Sequence, residues 1–121
     1  MLHRKLTHSL REATARMVAV LETNGAVPTT FVSADGIISI ASAGSGVYTV
    51  TLQRGAPTLV DLDVKVKQAS YSASGAQRAV LTTDNVSGAT PTVVFTTVNS
   101  AGTATQPATG DKLFIEVTVK L

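Results

Sequence analysis

The chain has 121 residues, of which 44% are hydrophobic, 4% aromatic and 15% charged, with no cysteine and a net charge of +2. That length supports one domain with a modest core, and the missing cysteine excludes disulfide frameworks, thiol nucleophiles and thiolate metal sites. Residues 1–22 hold four basic and two acidic side chains and so carry all the net charge; the neutral remainder lacks the basic, aromatic-studded stripe of a nucleic-acid binder.

With so few charges, Thr, Ser, Gln and Asn must cover the surface. Such a coat favours a protein that works inside an assembly, the alternative being a soluble monomer with a Thr/Ser-rich exterior. No apolar run is long enough to cross a membrane as a helix.

Residues 1–15 read as a basic arm. Leu2, Leu6, Leu10, Ala13 and Met17 share one face at helical spacing, so a short amphipathic helix is one reading. An extended arm leading into a strand at Arg16–Glu22 is the other. The start lacks the ordered apolar and small-residue segments of a secretory signal, and Glu12 argues against an organellar transit peptide. The arm cannot bury enough apolar surface to hold a fold alone, so it is expected to order against a partner.

Residues 16–121 read as the domain. Asn24-Gly25 closes the first strand as a turn. Pro28–Val32 is a short edge segment, and Asp35-Gly36 is a hairpin-type turn signal. Ile37 to about Ala43 forms the next strand, and Gly44-Ser45-Gly46 a turn. In Val47–Leu52, Tyr48, Val50 and Leu52 alternate inward with Thr49 and Thr51 outward. Arg54–Pro57 breaks the ladder. The strand from about Leu59 to Ala69 alternates most clearly: Val60, Leu62, Val64 and Val66 share a core face, and Asp61, Asp63, Lys65 and Lys67 a wet one. Ser70–Gly75 is a polar surface loop. Arg78–Thr83 is a weaker strand, Asp84–Pro91 a connection, and Thr92–Val98 a strand carrying Phe95. Asn99–Gly110 is a long loop of the kind that is functional or mobile. Asp111–Leu121 forms the last strand, with Leu113, Ile115, Val117, Val119 and Leu121 on one face. Seven to eight short strands at this spacing predict an all-β domain: a β-sandwich, jelly roll or small barrel.

The residues offer little chemistry. The two histidines, His3 and His8, sit in the arm; His8 and Glu12 are too few ligands for a closed metal site. Asp61 and Asp63 could in principle serve as an acid–base pair, but Lys65 and Lys67 continue their row, so a solvated face with cross-strand ion pairs is the simpler reading. No serine in the domain has a histidine base. No phosphate loop precedes a helix, and no acidic cluster suits calcium. We therefore expect no enzyme, no catalytic residue, no metal and no cofactor.

Three segments in order carry a resemblance: Gly46–Leu52; the alternating strand ending Val66-Lys67-Gln68-Ala69-Ser70; and Thr92–Val98 followed by Gly110–Ile115, with the loop Ser100–Pro107 between. Over roughly residues 16–121 this pattern resembles the head decoration, or cement, proteins of tailed bacteriophages. The resemblance implies a sandwich or jelly-roll body, self-association as a homodimer or homotrimer, and docking onto major capsid protein subunits on the capsid exterior, after synthesis in the host cytoplasm. It carries no functional residues with it. The arm supplies the candidates for partner binding: Leu2, Leu6 and Leu10 as apolar anchors, and Arg4, Lys5, Arg11 and Arg16 facing acidic capsid surface. No specific nucleic acid and no membrane is expected as partner. A receptor- or carbohydrate-binding module of a tail or fibre is the alternative, with Tyr71 its obvious exposed aromatic.

Overall fold

The computed structural model describes residues 14–24 and 28–121. They form eight strands: β1 (Thr14–Asn24), β2 (Pro28–Asp35), β3 (Ile37–Gly44), β4 (Val47–Leu52), β5 (Thr58–Lys67), β6 (Arg78–Asn85), β7 (Thr92–Val98) and β8 (Thr109–Lys120). Every pairing is antiparallel, in one sheet of order β2-β1-β8-β5-β6-β7-β4-β3. The all-β expectation holds. The outermost strands, β2 and β3, follow one another in the chain, so the sheet curls round into a nearly closed barrel.

The barrel has one weak join. β8 is matched to β5 from Thr58 to Lys67, yet β5 and β6 share the single pair Lys65 and Arg78. Two four-stranded halves result, β2-β1-β8-β5 and β6-β7-β4-β3, with the core between them. This explains why a reading of strand spacing alone points equally to a sandwich and to a barrel.

Period-two alternation builds the core. In β8, Leu113, Ile115, Val117 and Val119 are buried; in β1, Met17, Ala19 and Leu21 join them. From the other half come Tyr48, Val50 and Leu52 of β4 and Val93 and Phe95 of β7. The Tyr48 and Phe95 rings stack with centroids 5.3 Å apart, an arrangement that adds to plain area burial.

Several expectations need correction. Leu121 does not continue the buried row of β8: it lies past the end of the strand and is 44% exposed. Val60 is not in the core: it is 55% exposed, because the register with β8 slips between Leu59 and Asp61. The extra residue of this bulge faces out, and Leu59 packs against the core in its place. Leu62, Val64 and Val66 point inward but stay half-buried, since β5 borders the open join. Asp35-Gly36 does not make a hairpin. β2 and β3 lie at opposite ends of the sheet order, and Gly36 is the corner at which the chain crosses between them. Met17 sits in a strand, so it cannot complete a helical stripe with Leu2, Leu6, Leu10 and Ala13, which lie outside the described residues. Thr14 and Ala15 also belong to β1, and Gly25 of the Asn24-Gly25 turn lies outside the described residues.

The long loop before β8 is pinned. Asn99 Oδ1 accepts from the amides of Ala101 and Thr103, both at 3.0 Å, and Pro107 is buried. Thr97 Oγ1 donates to the Thr105 carbonyl at 2.6 Å. Gly46 lies under the loop, where a Cβ would come 2.7 Å from the Thr105 carbonyl oxygen.

Three substitutions test this packing by chemical denaturation. Ile115→Ala should cost about 2–4 kcal/mol through cavity formation, and Val60→Ala no more than about 0.5 kcal/mol. Gly36 has φ of 82° and its missing Cβ faces the Met17 side chain, so Gly36→Ala should cost about 1–3 kcal/mol.

Candidate functional site

The outward face of β1, β8 and β5 is the most developed surface among the described residues. Pairing register sets its rows: Val20, Phe114 and Lys65 lie side by side, as do Val18, Glu116 and Asp63. Above the first row come Glu22, Lys112 and Lys67; below the second come Arg16, Thr118 and Asp61. Val18 and Phe114 are exposed large apolar side chains. They border a shallow depression of about 230 Å³, lined also by Val20, Asp63, Lys65 and Glu116. An apolar centre with a charged rim is the usual make-up of a protein contact surface.

Of the arm residues singled out from the sequence, Leu2, Arg4, Lys5, Leu6, Leu10 and Arg11 lie outside the described residues, as do His3, His8 and Glu12. Arg16 is described. It stands exposed on β1 at the lower edge of this face, with a guanidinium nitrogen 3.9 Å from Glu116. Asp63 and Lys65 approach to 3.9 Å along β5 itself rather than across strands. Both pairs are long and solvent-exposed, so each contributes little to stability. Among the described residues, no group of three or more His, Cys, Asp or Glu could hold a metal ion.

A second surface lies at the mouth of the β5–β6 join. Tyr71 is 80% exposed beside a hollow of about 360 Å³ lined by Val66, Lys67, Gln68 and Gln77. The loop that presents Tyr71 is held by Gln68, whose Nε2 donates to the carbonyls of Ser72 and Ala76, both at 3.0 Å, and whose Oε1 accepts from the Ser72 amide at 3.0 Å.

The buried polar groups serve the scaffold. Asp111 accepts from the amides of Ala69 at 2.9 Å and Ala108 at 3.0 Å, fastening the end of β5 to the start of β8. Thr23 Oγ1 donates to the Ala108 carbonyl at 2.7 Å. Gln106 bridges two elements: its Oε1 accepts from the Gly46 amide at 2.6 Å, and its Nε2 donates to the Tyr48 hydroxyl oxygen at 3.0 Å. Sequence reasoning missed this bridge, since nothing marks Gln106 among the polar residues of its loop. It missed the β1–β8–β5 face as well, because its charges come from three distant segments.

Comparison with protein-family models, curated proteins and solved structures finds no match to the chain. The reading of function therefore rests on the surfaces themselves.

Burial pushes the Tyr48 hydroxyl up to about 12, with the Gln106 hydrogen bond opposing it. The fold thus favours neutral Tyr48. Its contribution is complete below the ordinary value of 10.0 and is lost as pH rises toward about 12. Unfolding free energies measured across this window should fall more steeply for the parent than for Tyr48→Phe.

Proposed function

We propose that this is a structural virion protein that binds the outside of a bacteriophage capsid and stabilises contacts between major capsid protein subunits. The observation that carries the reading is the apolar-centred, charge-rimmed face on β1, β8 and β5. A face of this kind suits contact with another protein surface within an assembly. Arg16 sits at the edge of that face, so the basic arm joins the domain beside it and would extend the contact. Its leucines supply apolar anchors and its basic residues meet acidic capsid surface. Each anchor contributes about 1–2 kcal/mol on partial burial. Many copies on one shell then add holding power through linked subunits. The resemblance of the strand pattern to cement proteins supports the same reading.

The alternative, a receptor- or carbohydrate-binding module, is favoured by one observation: the exposed Tyr71 beside its hollow. Aromatic rings commonly stack on sugar rings.

Mass spectrometry of gradient-purified virions should find the protein in the head, and purified protein should rebind capsids stripped of it. Removing residues 1–13 should leave β1 and the barrel intact while weakening rebinding, and the remaining salt dependence should flatten. Absence from particles would overturn both readings, and a copy confined to tails with glycan binding abolished by Tyr71→Ala would overturn the capsid reading in favour of the alternative.

A further inference from the structure

The charges on the β1–β8–β5 face follow a rule that individual strands do not reveal. Read along β5, the outward residues are Lys67, Lys65, Asp63 and Asp61, two positive and then two negative. Read in the same direction along β1, the ends are Glu22 and Arg16, with Val20 and Val18 between. The central strand runs from Lys112 through Phe114 to Glu116 and Thr118. In β5 and β1 the sign reverses about one line, which passes between the row of Phe114 and the row of Glu116.

We infer that this face is the contact of a two-fold homodimer, its axis lying in the plane of the face along that line, roughly at right angles to the strands. The rotation keeps each strand over its own copy and exchanges the rows. Lys65 then meets Asp63 of the second copy, Lys67 meets Asp61, and Glu22 meets Arg16. Val20 covers Val18, which places the aliphatic residues of β1 on one another. Phe114 packs beside the axis against the stem of Glu116. An isologous contact must be self-complementary in this sense.

The other in-plane axis, parallel to the strands, fails the same test. It pairs Glu22 with Lys67, Arg16 with Asp61 and Phe114 with Phe114, but it sets Lys112 on Lys112 and Glu116 on Glu116 at the centre and covers Val20 and Val18 with Lys65 and Asp63. The surface thus favours the first axis, which leaves no like charges facing, and it favours a dimer over a trimer, whose contacts join two different patches. Stacked sheets approach to about 10 Å, which suits side chains of these lengths. The exposed pairs within one chain, Arg16 with Glu116 and Lys65 with Asp63, each at 3.9 Å, are loose enough to exchange for pairs across the contact.

This inference gives the self-association implied by the resemblance a surface and a symmetry; with the face covered by a second copy, the proposed capsid contact falls to the basic arm at its edge. It does not depend on the capsid, because it is tested on the free full-length chain. Sedimentation velocity and equilibrium should show a monomer–dimer equilibrium that weakens with added salt. Lys65→Glu should weaken the dimer about tenfold by facing two acidic groups, and Asp63→Lys similarly by facing two basic ones. The decisive measurement mixes the two variants. Each then offers the other opposite charges at both positions, so heterodimers should form with near-parental affinity. Pairing within a single chain cannot produce that rescue. Phe114→Ala and Val20→Ser should also weaken association while the circular dichroism spectrum stays unchanged. A parent protein that is monomeric throughout, a trimer, or a mixture that shows no rescue would overturn the dimer. If the two variants are monomeric alone and together yet both fail to bind capsid, the face belongs to the capsid contact and not to a second copy.

Discussion

β8 is hydrogen-bonded along almost its whole length on both edges, to β1 on one side and to β5 on the other. Its four inward side chains, Leu113, Ile115, Val117 and Val119, meet β4 and β7 across the core. Once β8 is in register, β1 and β5 have no freedom to slide, because a one-residue slip would turn every apolar side chain outward. The same register fixes the opposite face. Each inward residue of β8 leaves a neighbour pointing out, and the outer neighbours of β1 and β5 fall beside it in straight rows. Core and candidate interface are therefore two sides of a single pairing.

The join between β5 and β6 shows what happens where such pairing is lacking. Only Lys65 and Arg78 bridge it, and the consequences reach several residues. Leu62, Val64 and Val66 are incompletely covered, and Val80 and Leu81 on β6 stay exposed. The barrel is held shut at its other seam by the chain itself. β2 runs into β3 through Gly36, whose carbonyl accepts from the Gln53 amide at 2.8 Å. A covalent corner therefore does there what a hydrogen-bond ladder does elsewhere.

Much of the fold was legible from side-chain period. β4 and β7 occur where alternation placed them, at Val47–Leu52 and Thr92–Val98. What stayed hidden depends on register or on distant partners. Val60 continues the apolar rhythm of β5, and only the slip against β8 turns it out. Met17 to Leu21 reads as one apolar run, and only the pairing with β8 divides it into Met17, Ala19 and Leu21 inside and Val18 and Val20 outside. Asp35-Gly36 has hairpin chemistry, but the strands that flank it find other neighbours. The charge pattern of the candidate face could not be read in advance, since Arg16, Asp61 and Glu116 align only after the sheet has formed.

The position of β8 in the chain has a consequence for how the molecule is made. This most connected strand is synthesised after the seven others, and its ladder sets Thr14 opposite Lys120. Closing a loop of about a hundred residues costs roughly 4 kcal/mol of chain entropy before any long-range contact offsets it. Until β8 leaves the ribosome, β1 and β5 each have a bare edge and the inward side chains of β4 and β7 lack the central strand of the wall opposite them. The growing chain must stay uncommitted and then fold late, in one cooperative and comparatively slow step. During that interval its open strand edges are exposed to other nascent copies. The charges along β5 work against such edge-to-edge pairing.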